Sequence, residues 1–216
     1  MKSNYFLHFI LFFGLLLFAV PTKAADLTLQ EAESFALEQG NNLLSFFAEK
    51  DMATKYQKLD DMFLNHVDLD YIGKFVVGKY WRQMSPEQRE QYMDLFKRYS
   101  INVYKGFPLT FENRLSFDIT GSRSEKKDIF VTANIKYQQN QQSEPMQFIV
   151  EFRMHKVNDI IRITDIKIGE SSLILSYRNK FYEMIKASDE EMEWFLEDFE
   201  LLTVSAEKQY SLQNER

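Results

Sequence analysis

The sequence predicts an α+β domain in which helices cover one face of an antiparallel sheet. Three observations carry that reading. Apolar residues recur at three- and four-residue steps from Ala32 to Val103. They then alternate at period two through four runs between Phe111 and Ile168. The helical period returns after Ser171. Helices, then strands joined by short polar loops, then helices read as one domain with one apolar sheet face to be covered.

Each element has its own signal. Thr28 and Glu31 make a capping box, followed by the stripe Ala32, Phe35, Ala36, Leu43, Phe46 and Phe47, with Gly40 as an expected weak point. A shorter helix is expected over 53–63. Asp68 caps a third, with Leu69, Ile72, Val76 and Tyr80 facing inward. Ser85, Pro86 and Gln88 start the fourth, whose inner face is Tyr92, Leu95, Phe96, Tyr99 and Val103, and Gly106 and Pro108 end it. The strands follow: Phe111 to Ile119, Ile129 to Tyr137, Met146 to Met154 and Ile160 to Ile168. A polar hairpin tip over 138–144 and a tight Asn158-Asp159 turn join them. Helices are expected over 171–186 and 188–202, the second opened by a capping box of Ser188 and Glu191. Residues past Glu207 read as a frayed polar tail.

Residues 1–24 read as a signal peptide: Lys2, an apolar run from Phe6 to Val20, Pro21, and small residues at the cut. The run is shorter than the ~20 residues a spanning helix needs. The expected domain is therefore 25–207, with 208–216 as the tail. The chain has no cysteine, which excludes disulfides, thiolate metal sites and a cysteine nucleophile. Two of the 26 basic residues, Lys2 and Lys23, lie in the leader. The remainder thus carries 24 against 32 acidic residues, a net −8. That balance argues against nucleic acid and against lasting attachment to anionic lipid surfaces.

The polar motifs are weak. Gly73 to Lys79 approaches a phosphate-binding loop, but Tyr80 stands where Ser or Thr is needed, and no strand precedes it. Gly169-Glu170-Ser171-Ser172 lacks the second glycine of a nucleophile elbow. His66 and His155 are too few and too isolated for zinc, and His155 reads as a solvated strand-end residue. Asp60, Asp61, Asp68 and Asp70 lack calcium-loop spacing. The aromatic load stands out: 20 Phe, 11 Tyr and two Trp. It fits either a core packed with rings or the wall of a cavity. Periodicity alone does not separate the two.

Two stretches bear on that choice. Ile72 to Tyr104 contains Gly78-Lys79-Tyr80-Trp81 followed by Ser85-Pro86-Glu87-Gln88. Ile163 to Ile185 contains Thr164-Asp165-Ile166, Ser172-Leu173 and Tyr177-Arg178-Asn179-Lys180-Phe181. In these stretches the chain resembles the MlaC family, the toluene-tolerance auxiliary proteins. It departs from the family pattern at Ile161, where Trp is usual, and at Gly169-Glu170, where Glu-Gly is commoner. The resemblance implies a twisted antiparallel sheet of four to five strands covered by helices, loosely like the nuclear-transport-factor fold, enclosing an apolar cavity. It also implies a periplasmic, monomeric carrier of glycerophospholipid. Its partners would be an inner-membrane ABC transporter with a ring of substrate-binding domains and an outer-membrane lipoprotein–porin complex. No cofactor and no chemistry are implied.

On that reading the lipid tails lie between the sheet face and the helical faces. Phe148, Val150, Phe152, Ile129 and Val131 supply the first, and Val76, Tyr80, Tyr99 and Val103 the second. Leu173, Tyr177 and Phe181 complete the wall, and Trp81 and Tyr104 mark the rim. Arg178 is the candidate contact to the head group, with a structural role as its alternative. Two other functions stay open: an enzyme working in such a cavity, for which Asp165 is the best-placed acid, and a non-binding adaptor between membrane complexes.

Overall fold

The structure, a computed structural model, describes residues 26–105, 115–138 and 144–214; for 104, 105 and 209–214 it describes the backbone alone. The expected leader, the helix stop at Gly106 and Pro108, the strand start at Phe111 and the tip of the 138–144 hairpin lie outside the described residues.

Four helices come first: α1 (Leu29–Phe47), α2 (Met52–His66), α3 (Leu69–Val77) and α4 (Pro86–Lys105), with a 3₁₀ turn at Gly78–Arg82 before α4. The sheet follows: β1 (Leu115–Glu125), β2 (Asp128–Tyr137), β3 (Met146–Val157), β4 (Ile160–Ile168) and the two-residue β5 (Ser171–Ser172). Then come α5 (Leu173–Ala187) and α6 (Met192–Asn214). The five strands pair antiparallel in chain order. The fold is therefore the α+β meander that the change of period predicts.

The helix starts form as their sequences dictate. Thr28 Oγ1 accepts from Glu31 N while a Glu31 carboxylate oxygen accepts from Thr28 N. Ser85 and Gln88 make the same reciprocal pair at α4, at 2.9 and 3.2 Å. Glu31 also holds Lys156 of β3 at 2.8 Å, which ties α1 to the sheet. These partners, Lys156 first, pull the Glu31 carboxyl down to about 2.

Three expectations are corrected. Gly40 does not interrupt α1; the helix runs through it. A Cβ there would sit 2.5 Å from Phe117 Cδ1, so the missing side chain is what lets α1 lie on β1. Ser188 does not open α6 but ends α5. Its backbone N–H and its hydroxyl both donate to Met184 O, and Asp189 and Glu190 then turn the chain at positive φ. The last helix does not end at Leu202; the backbone of α6 continues to Asn214. Arg98 of α4 grips the Glu207 carboxylate at 2.9 and 3.1 Å and holds that last stretch against α4.

Besides a small cluster of Tyr56 and Leu59 of α2 against Leu43, Phe46 and Phe47 of α1, two packed regions result. The larger lies among α3, α4, α5 and α6, where Tyr92, Phe96, Phe181, Phe195 and Phe199 are buried ring on ring. The smaller lies beneath α1, where Ala32 and Ala36 meet Ile129, Val131 and Met154. Helices α2, α3 and α5 approach the sheet at β4.

Gly40→Ala tests the α1–β1 contact. The methyl group favours an isolated helix by about 1 kcal/mol. Overpacking against a ring costs about 1–3 kcal/mol, so the expected net effect is a lower melting temperature. A rise on thermal unfolding would mean that Phe117 yields freely.

Candidate functional site

The space between the sheet and the helices is not filled. One chamber, about 250 Å³, lies between β4 and the helices α3, α4 and α5. A second, about 200 Å³, lies between α1, α2 and the sheet. Phe63, Val67, Ile163 and Ile166 line both, so the two chambers share a wall four side chains wide. Ile168 and Leu173 line the first chamber, yet are 54% and 47% exposed. The first chamber therefore opens where β4 gives way to α5.

The shared wall depends on a bulge. Opposite β3, Phe152 pairs with Ile166 and Met154 with Ile163, so Thr164 is one residue too many for the ladder. Strict alternation would send Ile163 and Ile166 to opposite faces; the extra residue brings both to the same one. Thr164 itself is buried, its hydroxyl donating to Arg153 O at 3.3 Å.

The polar groups near the first chamber are engaged with the protein. The Asp165 carboxylate accepts from Ser172 Oγ at 2.6 Å, Ile174 N at 3.0 Å and Ile166 N at 2.8 Å. It thereby caps the start of α5 and fixes the corner at β5. The preceding turn passes through Gly169 at φ +57, so this chain's Gly-Glu order puts the glycine where a left-handed residue is needed. Burial, with Tyr99 nearby, pushes the Tyr177 hydroxyl up to about 12, and it stays protonated in the chamber wall.

The residues read from the sequence divide into groups. Val103, Leu173 and Tyr177 line the first chamber and Phe152 the second. Val150 is buried on the sheet, Phe148 is 42% exposed, and Ile129 and Val131 pack beneath α1. Val76, Tyr80, Tyr99 and Phe181 sit in the helical core. Trp81 packs at its edge with Lys74 and Arg89 over its ring at 5.6 and 5.4 Å. Tyr104's side chain lies outside the described residues. Arg178 is occupied within the fold: Nη1 donates to Phe75 O at 2.9 Å, Nη2 to Tyr182 Oη at 2.8 Å, and the guanidinium stacks on both rings. A Cβ at Gly78 (φ +51) would collide with that pair, so Gly78 serves as a helix end and a close approach rather than as part of a phosphate loop.

Sequence reasoning passed over Phe63, Val67, Ile163 and Ile166 as a set, and weighed His66 only as a metal ligand. His66 ends α2 in the second chamber's wall, edge-on to Phe35 at 5.1 Å. Burial first, and then the Arg162 charge, hold its imidazole below the ordinary 6.5, with Glu38 opposing. His155 is not solvated. It is buried, 2.8 Å from Asp68 Oδ2 and 3.6 Å from Asp128 Oδ1, and Arg153 satisfies Asp128 at 2.6 Å. Among the described residues no group of three or more His, Asp or Glu is placed to hold a metal. No described helix is long and apolar enough to cross a membrane.

The fold and its chambers define a class: an open-sheet α+β domain hollowed on one side for apolar contents. The chain belongs to the MlaC protein family, whose pattern it matches over residues 41–200. No curated relative matches it. A phospholipid-binding protein from Ralstonia solanacearum, solved in complex with a phospholipid, has the same fold. The two share 20% identity and a TM-score of 0.64 over 84% of this chain and 99% of that one.

Two predictions follow from these surroundings. Arg178→Ala removes the guanidinium donor from Phe75 O and from Tyr182 Oη, which keeps only the longer contact from Lys79 N at 3.4 Å, and should cost about 1–3 kcal/mol in urea unfolding; an unchanged midpoint would show the contacts to be idle. His66 resists protonation in the folded state, so the unfolded chain takes up a proton more readily. Stability should therefore drop as pH falls below about 6.5, and His66→Leu should flatten that slope. Equal slopes in the two proteins would contradict the environment assigned to His66.

Proposed function

We propose that this protein is a soluble carrier of glycerophospholipid, holding the fatty chains in the two chambers with the head group at the mouth. The observation that carries the proposal is the pair of adjoining apolar chambers, the first of them open where β4 gives way to α5. Their form suits a ligand with two alkyl chains and one polar end. Membership of the MlaC family and the phospholipid held by the Ralstonia protein support it.

The energetics set what such a carrier must do. Each methylene kept from water is worth about 0.8 kcal/mol, so two chains of ~16 carbons cost on the order of 25 kcal/mol to leave bare. Burying them is the whole task; the head group stays hydrated on its own. Val103, Leu173, Tyr177 and Phe152 are the predicted residues assigned to contact lipid directly. The others of that set act by shaping the walls. Arg178 is assigned a structural role.

The wider reading places the carrier in the periplasm, behind a signal peptide over 1–24. There it passes lipid between an outer-membrane lipoprotein–porin complex and an inner-membrane ABC transporter, and so maintains outer-membrane lipid asymmetry. The family's pattern supports this, and the net −8 of the remainder suits a body that touches membranes and leaves. The protein carries its ligand unchanged: the acid best placed for catalysis, Asp165, is committed to capping α5.

Ile166→Trp tests the carrier function because Ile166 walls both chambers. Organic extracts of natively purified wild type should contain phospholipid, and the variant should carry several-fold less while keeping its circular dichroism. Wild-type extracts without lipid, or full lipid in the variant, would overturn the proposal.

A further inference from the structure

Six exposed apolar side chains gather at one corner of the molecule. β3 begins at Met146, but its pairing with β4 ends where Val150 meets Ile168. Met146 to Ile149 therefore extend past the end of β4, held on that side by Gly169 N, which donates to Ile149 O at 3.1 Å. The chain then turns through β5 into the first turn of α5. Met146, Phe148, Ile149, Ile168, Leu173 and Leu175 are exposed there, Ile149 at 63% and Leu175 at 51%. Successive strand residues point to opposite faces. Phe148 thus shares the face of Phe152, which lines the second chamber, while Ile149 lies on the other face. The patch wraps the corner and is continuous with the first chamber, which Ile168 and Leu173 line.

An apolar patch of this extent marks a surface that another body covers. Its position, composition and charge all fit a lipid bilayer. It borders the mouth of the first chamber, so a bilayer seated on it would meet the apolar interior with no layer of water between. Four of the six residues are Ile or Leu, and none is Trp, Tyr or Arg, the side chains that dominate protein–protein hot spots. Lys167 and Glu170, which flank the corner, pair with each other at 3.4 Å. Glu144 is the next charge, just ahead of β3. One positive charge thus stands against two negative ones, which suits hydrocarbon and not anionic head groups. We infer that this corner docks on a lipid bilayer, with Ile149 and Leu175 entering the hydrocarbon beside the mouth. The inference rests on the carrier function proposed above and adds a direct exchange with membrane lipid.

Contact of this kind is apolar, so salt does not screen it. The chain beyond the leader carries a net −8, so anionic lipid weakens the contact. Ile149 and Leu175 line neither chamber, so changing them leaves the space for the fatty chains intact.

The test follows a pyrene-labelled phosphatidylcholine as it leaves phosphatidylcholine vesicles for the full chain. Exchange by the wild type should proceed on these vesicles, hold its rate in high salt, and slow when half of the lipid is phosphatidylglycerol. Ile149→Asp combined with Leu175→Asp should slow it by about 10-fold, because two half-buried aliphatic contacts are together worth about that factor. Native mass spectrometry of this purified double variant should show its phospholipid retained. Ile149→Thr combined with Leu175→Gln keeps the strand and helix preferences and adds no charge, and it should slow exchange in the same direction. Leu201→Asp, at a 71% exposed position of α6, should exchange as the wild type does. Full-rate exchange by both double variants, equal slowing by Leu201→Asp, or exchange only from vesicles containing phosphatidylglycerol would overturn the docking and leave the carrier. So would a concentration-dependent wild-type dimer that the double variants abolish, since a second copy would then cover the corner. Bound lipid in the wild type with no exchange from any vesicle would also overturn it, and would point to a protein receiver. No lipid in wild-type extracts and no uptake from any vesicle would remove the carrier function, and the docking with it.

Discussion

Both chambers depend on the short bridge between Val67 and Ile163. The junction of α2 and α3 lies against β4 there, with Asp68 N donating to Ile163 O at 2.9 Å. From β3, His155 holds the Asp68 carboxylate at 2.8 Å, while Asp68 also accepts from Tyr71 N and starts α3. One aspartate thus joins a helix start to a strand two elements away in the fold. The junction sets Val67 and Ile163 into the shared wall, with Phe63 one turn back along α2. Released, α2 would be free to settle onto the sheet, and hydrophobic burial would close the space it now spans. The hollow exists because polar contacts around this junction hold its roof in place.

The aromatic residues serve the opposite purpose. Phe181 and Phe199 meet at 4.9 Å, Tyr99 and Phe199 at 5.5 Å, and Tyr92 touches Phe96, Phe181, Phe195 and Phe199. Edge-to-face and tilted rings at these spacings fill volume and add to simple burial. The choice between solid core and cavity wall therefore does not apply to the chain as a whole. α3 to α6 form a dense body, and that body braces one side of a void lined largely by isoleucine, valine, leucine and single rings. The ring-rich faces stand out in the sequence because the strongest apolar periodicity marks the tightest packing. They draw attention away from the site.

What the sequence makes legible follows from how local each determinant is. Capping boxes at Thr28 and Ser85, the Asn158-Asp159 turn and the period-two strands depend on neighbours in the chain, and the architecture could be read from them. Ser188 and Glu191 show the limit of that local logic. The same residue pattern closes one helix instead of opening the next, because two left-handed residues intervene. The site depended on tertiary features. The bulge at Thr164 reverses the face of Ile166, and no periodicity announces it. Gly40 looks like a flaw in a helix until Phe117 is seen against it. His155 looks like a strand end until two carboxylates from distant segments converge on it. For Gly40 and His155 the role is set by partners at least 27 positions away, and for Ile166 by its pairing across the β3–β4 hairpin.

An empty hollow is costly. Chambers of about 250 and 200 Å³ forgo the packing contacts that a filled interior would make. The chain has no disulfide to offset it, so the dense helical body and the contents of the chambers must do so. A carrier built this way is most stable when loaded, and giving up its ligand means reclaiming that deficit from somewhere. The exposed apolar residues at the mouth, Ile168 and Leu173, are where a receiving surface can begin to compensate before the chains have left. On the carrier function proposed above, release would be an exchange at that mouth in which no alkyl segment need cross water.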